Sequence, residues 1–548
     1  MKRSEMIAAM EERGTVWDVI IIGGGATGLG AAVEAASRGH RTVLVEADDF
    51  AKGTSSRSTK LIHGGVRYLR QGRIGMVRQS LRERERLLQN APHVVHSLDF
   101  VIPSYRWGSR TFYYAGLRAY DLLAGQLISG RARRLSSSDT CRYLPTLRNE
   151  SLRGSVLYAD GQFDDARLAI TLARTAADHG AILVNSMPVE RLLQNGSRVT
   201  GVAVRDRQTG TEILLHGRVV LNATGVFAEE ILQMDATSVR NNNAEDRPQV
   251  ALSQGSHLVL DASFLPGSTA LMIPETDDGR VLFAIPWHGR LLLGTTDIAV
   301  NVASREPRPL ESEVDYLLDH AGRYLQTRPQ RSDIRSQFSG LRPLVRSGSG
   351  SQSTARLSRE HFIHTSSSGL ITVIGGKWTT YRQMGEDLIN HAESTGGLTR
   401  KESKTAQLKL HGFVTPESRT EGPLQIAAVY GSDNEGISNL VRARPELAER
   451  LDSRLPYRAA EVVWAAQKEL AISVEDVLAR RTRALFLDAH AAAEAAPLVA
   501  SLLAHENAMT ESWKQQQIIA FRNLALNSYA AGHFHGMSHD SCSVHPFK

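Results

Sequence analysis

The chain alternates between two apolar periods, and the changeovers mark out its parts. Near the N-terminus, Val19–Ile22 is a short continuous apolar run, as a parallel strand buried on both faces requires. An alanine-rich stretch with helical spacing follows, and then a second apolar run, Thr42–Val45. Helical spacing predicts helices over Met76–Asn90, Tyr114–Ser129 and Phe163–Ala181, the last opening on an acidic first turn. From Pro188 to Leu221 the pattern changes to alternation, with turn signals at Asn195-Gly196 and Thr209-Gly210, which predicts a β-meander. It runs into Val219–Gly225, an apolar strand ending in a small-residue turn. His257–Leu260, Val281–Ile285 and Arg290–Thr295 read as strands of a separate sheet, and Arg346–Thr354 as a mobile serine/glycine loop. Gly369–Gly376 is a further strand, leading into a helix from Trp378 to about Ser394. Beyond Lys401 the sequence turns helical, as in AAEVVWAAQKEL, and predicts a separate domain.

Gly23, Gly25 and Gly28 stand between the first strand and its helix. They allow a tight turn and close backbone approach, so a pyrophosphate can sit at the helix N-terminus, where free N–H groups favour anions. The second strand ends at Glu46, where an acidic side chain can accept a hydrogen bond from a ribose hydroxyl. A glycine triplet alone is weak evidence. Strand, glycines, helix, strand and acid in order point to a dinucleotide.

Composition narrows the class. At 548 residues the chain is long enough for two or three cores, and 42% hydrophobic with 22% charged residues is ordinary for a globular protein. Cys141 and Cys542 are too few for a disulfide scaffold, which suggests a reducing compartment. No secretory leader or membrane-spanning run is evident, so a cytoplasmic location is expected. The formal net charge of +6 is mild over this length. Arginine is dense over Arg67–Leu88 and Gly130–Leu135. For Arg78–Arg86 a solvated, ion-paired helix face is the favoured reading, and attraction to anionic substrates or lipid headgroups the alternative. No zinc-finger spacing or RNA-binding aromatic motif accompanies the arginines, which argues against nucleic acid. The C-terminal tail carries four histidines, but their irregular spacing predicts a flexible end with no metal site.

The glycine unit cannot by itself separate NAD from FAD. Candidate cofactor segments recur near residues 225 and 375, as expected for a large cofactor threaded through its domain. The segments IGGGATGLG, TSSRSTKLIHGGVRYL, FDDARL, LNATG, IPWHGRLLLGTTD, SGLRPL, GGKWTTYRQM and EDVLARRTRALFLD resemble the aerobic, FAD-dependent glycerol-3-phosphate dehydrogenases, within the D-amino-acid-oxidase-like flavoproteins. The resemblance covers most of Val16 to about Asp488. It implies an α/β fold: a Rossmann-like FAD-binding domain interleaved with an antiparallel-sheet substrate domain, plus a C-terminal helical domain. The expected division is an extension over 1–15, the interleaved domains over 16–400, the helical domain over 401–530 and a flexible tail over 531–548.

The resemblance also implies chemistry. Oxidising the secondary alcohol of glycerol 3-phosphate needs a hydride acceptor, a base, and donors for an oxyanion and a phosphate. Arg342 is the expected polarising cation, His257 the expected base, and Lys377 is expected to reach both flavin and substrate. Arg342 precedes Pro343 and Lys377 follows two glycines, so both cations are expected to be aimed by tight backbone features. Arg67, Tyr68 and Arg359 are expected to bind substrate, the two arginines at its phosphate. His257 alternatively satisfies backbone groups, Arg359 alternatively pairs with Glu360, and His63 is either a second base or a packing residue near the flavin. Expected FAD contacts are Gly23, Gly25, Gly28, Glu46, Thr54, Ser55, Ser56, Lys60, His63, Gly64, Val189, Ala223, Gly225, Gly376, Lys377, Thr379 and Thr380. The likeness favours a quinone as electron acceptor and peripheral contact with the inner face of the cell membrane. A soluble oxidase using oxygen, a D-amino-acid-type oxidase and a flavin-binding sensor stay as alternatives, and a homo-oligomer stays open.

Overall fold

The computed structural model describes residues 1–12, 14–65, 73–124, 130–238, 248–345, 360–415 and 426–532. Arg67, Tyr68, Arg359, the serine/glycine loop and the histidine-bearing tail lie outside the described residues.

Two sheets carry the chain. In the first, parallel strands run in the order Ile182–Val184, Thr42–Val45, Val16–Ile22, Glu212–Asn222 and Ile371–Ile374, with Phe362–Thr365 antiparallel at one edge. The central strands are continuous apolar runs because helices cover them; Val19, Ile20 and Ile21 are fully buried. Helix Ala26–Ser37 crosses helix Tyr381–Thr395 so closely that a Cβ on Gly385 would stand 2.7 Å from the backbone of Gly30. Val189–Asn195, Arg198–Arg205 and Glu212–Asn222 form the expected meander.

The second sheet has ten strands. Val250–Asp261 lies near one end of it, paired antiparallel with Ser336–Val345 on one side and with Arg290–Gly294 and Ile298–Val300 on the other. The sheet continues through Leu282–Trp287, Ala270–Ile273, Val95–Pro103 and Ser155–Phe163. The pairing is antiparallel except between Val95–Pro103 and Ala270–Ile273, which run parallel, so the expected antiparallel sheet is in fact mixed. Helix Glu311–Tyr324 seals one face, burying Val314 and Leu317 among Leu258, Leu260, Leu291 and Leu293.

Beyond the sheets, helices Asn434–Ala443, Ala459–Lys468, Ala489–Glu506 and Glu511–Leu524 form a C-terminal bundle. A wide helical turn, Asp476–Arg481, docks it through buried charges. The guanidiniums of Arg480 and Arg481 both donate to Asp49, at 2.5 and 2.7 Å, and Arg167 makes a two-pronged pair with Glu469 at 2.8 and 2.9 Å.

The arginine-rich helix is not the uniformly solvated face its sequence suggests. Over Ile74–Asn90, Arg78 and Arg82 are exposed, but Glu83 and Arg84 are buried. Arg84 pairs with Asp160 at 2.9 Å and Glu83 accepts from Arg382 at 2.7 Å. Partners from distant segments turn part of a charged stripe inward, which the helical period alone cannot reveal.

Candidate active site

A cleft of about 490 Å³ runs between the two sheets. That is within the usual size of a small-molecule site. Its cofactor end is built by the first strand–turn–helix. Gly23 has φ +108°, and a Cβ there would stand 2.7 Å from the carbonyl oxygen of Ala223, so only glycine lets these two strand ends pass. Helix Ala26–Ser37 starts at Gly25, and its first N–H donates to Ser55 Oγ at 2.9 Å. Glu46 accepts N–H bonds from Gly24 at 2.6 Å and Asp48 at 2.9 Å, and burial pushes its carboxyl up to about 7. Trp378 donates from Nε1 to the Ser55 carbonyl at 2.9 Å, tying the Gly375-Gly376 turn to the first unit.

Of the expected cofactor contacts, Gly23, Gly25, Glu46, Thr54, Ser55, His63, Val189, Ala223, Gly225, Gly376, Lys377 and Thr379 line this cleft. Five do not, for physical reasons. Gly28 lies behind the turn, where a Cβ would meet the Gly23 carbonyl oxygen at 1.9 Å. Ser56 is buried, and its carbonyl accepts from both Lys60 and Arg483 at 2.7 Å. Lys60 is buried with it and pairs with Asp165 at 2.7 Å, in a cage of Trp287, Phe338 and Phe486 rings 5.2–5.4 Å away. Gly64 sits beneath Tyr120, and Thr380 faces a smaller hollow beside Ser80 and Glu360.

The other end of the cleft is made by strand register. Ser253 pairs with Arg342 and His257 with Phe338 across Val250–Asp261 and Ser336–Val345. Positions two and four apart share a face, so Arg342 and His257 rise from the same side of the sheet, and both line the cleft. Between them the facing pair is Gly255 and Gly340. A Cβ on Gly255 would stand 2.2 Å from an Arg342 guanidinium nitrogen, and one on Gly294 2.2 Å from His257 Cδ2. Absent side chains make the room for the arginine and the histidine.

Arg342 therefore stands within a ten-residue strand, not on the tight turn its Gly-Leu-Arg-Pro setting suggested. Its guanidinium donates to Thr295 Oγ1 at 3.1 Å and lies 3.5 Å from Asp297 Oδ1. His257 is 1% exposed; its Nε2 pairs with Thr59 Oγ1 at 2.9 Å, and its Nδ1 has no hydrogen-bond partner among the described residues. Burial, with Lys60 and Arg342 nearby, pushes this imidazole well below its ordinary range, so it is neutral at working pH. Lys377 opens the short helical turn Trp378–Thr380, as its glycines suggested, and its ammonium donates to Ser80 Oγ at 2.7 Å. Thr59, Thr295 and Asp297, which hold the histidine and arginine, were missed from the sequence. The GTTD run after Arg290–Leu293 was the local signal for Thr295 and Asp297, and the hydroxyl-rich segment TSSRSTKLIHGGVRYL that for Thr59.

This donor set fits FAD. A helix N-terminus faces a long cleft, an acidic acceptor stands where a ribose can lie, and apolar walls lead to the Arg342–His257 pair.

Comparison with known proteins agrees. Residues 18–382 match the FAD dependent oxidoreductase family, and residues 373–517 match the C-terminal domain of alpha-glycerophosphate oxidase. A mitochondrial glycerol-3-phosphate dehydrogenase of Arabidopsis thaliana is 37% identical over 541 residues, covering 91% of this chain and 84% of the relative. The mitochondrial enzyme of Homo sapiens is 38% identical over 536 residues, covering 92% and 72%. Among solved structures, the glycerol-3-phosphate dehydrogenase from Bacillus halodurans complexed with FAD aligns with a TM-score of 0.77 at 28% identity, covering 98% of this chain and 99% of that one. The chain belongs to the FAD-dependent oxidoreductases, among the glycerol-3-phosphate dehydrogenases, and its cofactor is FAD.

Proposed function

We propose that this family member oxidises glycerol 3-phosphate to dihydroxyacetone phosphate and passes the electrons to a membrane quinone. The observation that carries the reading is the placement of Arg342 and His257 on one sheet face, at the end of a cleft whose other end is a dinucleotide cradle. Bound FAD supplies the two-electron acceptor. Arg342 stabilises the substrate oxygen as its proton leaves, because a guanidinium in a partly buried cleft favours developing negative charge. His257 takes that proton; being neutral, it has a free acceptor for it when Thr59 receives, rather than donates, the Nε2 bond. Lys377, at the cleft edge, adds a second cation beside the substrate. Arg67 and Arg359, with Tyr68, bind the phosphate, where a planar fork matches its oxygens.

Among the described residues no helix is long and apolar enough to cross a membrane. The proposed contact with lipid is therefore peripheral. The test is substrate and acceptor profiling of the purified holoprotein. Glycerol 3-phosphate should outpace D-amino acids and lactate with a dye acceptor, and a ubiquinone analogue should outpace oxygen. Preference for a D-amino acid would refute the substrate, and oxygen reduction as fast as quinone reduction would refute the acceptor.

A further inference from the structure

The helix Ser109–Ala124 is amphipathic twice over. Its inner face carries the buried Leu117 and Tyr120; Tyr120 packs with Val77 and Leu81 of the neighbouring helix Ile74–Asn90, and Leu117 joins the main core. Its outer face carries Phe112, Ala115, Gly116, Ala119 and Leu122, all exposed, at the i, i+3, i+4, i+7 spacing of one helical stripe. No charge interrupts that stripe. Phe112 is 65% exposed and Leu122 78%, and Trp107, just before the helix, is 85% exposed. These are three of the largest exposed apolar side chains of the described residues, within one short segment.

The surroundings are basic. Arg134 lies over the Tyr114 ring at 4.6 Å and Arg153 over the Trp107 ring at 4.2 Å. Arg110 donates to the Leu135 carbonyl at 3.3 Å, so strand Arg133–Leu135 flanks the helix. Arg131, Arg133 and Arg134 are exposed. The acids nearby are few: Asp121 is buried and pairs with Arg118 at 3.4 Å, Glu275 lies 3.7 Å from Arg106, and Asp99 is exposed. An apolar stripe with aromatic side chains and an arginine rim has the chemistry of a helix lying in a bilayer interface, apolar face in the acyl boundary and cations at the headgroups. The exposed arginines beside the stripe outnumber the acids near them, a charge balance complementary to anionic headgroups.

We propose that the exposed face of helix Ser109–Ala124, with Trp107 and the arginines beside it, docks the protein on an anionic lipid bilayer. This rests on the reading that the electron acceptor is dissolved in lipid, and it says where the protein meets that lipid. The position suits the chemistry. Tyr120, on the inner face, packs on Gly64, next to His63, which lines the cleft. The adjoining helix holds Lys377 through Ser80. The docked helix is thus one layer from the active cleft.

The experiment is co-sedimentation of the full-length holoprotein with vesicles of phosphatidylcholine alone or with about one-third phosphatidylglycerol, at low and high salt. The wild type should bind the anionic vesicles, and salt should weaken that binding. Phe112→Asp combined with Leu122→Asp should weaken it about tenfold or more on both vesicle types. Arg133→Glu combined with Arg134→Glu should weaken it on anionic vesicles only and flatten the salt dependence. Flavin content, thermal midpoint and dye-linked turnover should stay at wild-type values in both variants. A wild type that ignores every vesicle overturns the lipid-acceptor reading and this surface together. A wild type that binds while Phe112→Asp with Leu122→Asp binds equally well overturns the surface alone. If that variant instead splits an oligomer and keeps its lipid binding, a second copy covers the stripe and the proposal is wrong.

Discussion

The imidazole of His257 lies nearly flat on the ring of Phe338, with centroids 4.8 Å apart and planes 14° apart. The two residues are direct cross-strand partners, so the stack follows from register. Lys60 approaches the same phenyl ring at 5.2 Å. A protonated His257 would thus face two cations, Lys60 and Arg342, in a buried site.

That arrangement sets a pH profile. A base must be unprotonated, and a depressed imidazole stays so at lower pH than usual. kcat/KM for glycerol 3-phosphate should therefore hold level down through pH 6.5, with any acid limb from His257 lying well below it. His257→Gln should lower the rate by about 10²–10⁴. A wild-type acid limb centred at 6.5 that vanishes in His257→Gln would show that the surroundings do not depress this histidine.

Arg342→Ala should cut kcat by about 10²–10³ while flavin content stays near one per chain. Arg342→Lys should recover only part of the loss, since an ammonium cannot keep both the Thr295 contact at 3.1 Å and a place beside Asp297. Stopped-flow reduction of the bound flavin reads the step directly. Unchanged reduction would make Arg342 a structural ion-pair partner.

Gly255→Ala separates shape from chemistry. The added methyl would meet the guanidinium end of Arg342 at 2.2 Å and Thr295 Oγ1 at 2.7 Å, side chains and not fixed backbone. The guanidinium and the Thr295 hydroxyl must both shift, but no backbone does, so the fold should lose little, within about 1 kcal/mol, while kcat falls severalfold or more. A large drop in thermal midpoint with normal turnover per folded molecule would reverse that assignment.

Asp49→Asn tests the docking of the helical bundle. Burial alone would raise this carboxyl, but Arg481 and Arg480 hold it well below the usual carboxylate range. Its stabilising contribution is therefore complete above the unfolded-state value and lost only as the pH falls toward the lowered folded value. Removing the charge leaves two buried guanidiniums short of a partner and should cost about 3–5 kcal/mol. In urea unfolding the deficit should be constant from pH 5 to 8. A deficit that grows or shrinks across that window would point to another titrating group.

Glu46→Ala should yield protein short of flavin that regains its yellow colour and activity with added FAD. The carboxylate holds the turn through Gly24 and Asp48 and faces the cleft, and loss of charged hydrogen bonds of this kind weakens binding by about 10–100-fold. Tight, full-occupancy flavin in Glu46→Ala would show that the acid serves only the turn.

The sequence by itself determined what is local. Val19–Ile22, the three glycines and Glu46 specify a nucleotide turn because strand, turn and helix are neighbours along the chain, and short-range sterics dictate their shape. The meander over Val189–Asn222 was legible for the same reason, from alternation and turn residues. Tertiary structure decided what depends on register and on partners from afar. Val95–Pro103, Ser155–Phe163 and Ser336–Val345 were not picked out as strands, and their pairing joins segments far apart in the chain. Arg342 meets His257 only because Ser336–Val345 pairs with Val250–Asp261 in one register; a slip of one residue would turn Arg342 to the other face. Lys60 reads as a cofactor contact beside its hydroxyl-rich neighbours. Burial among Asp165, Trp287, Phe338 and Phe486, brought from four separate segments, turns it into the core instead.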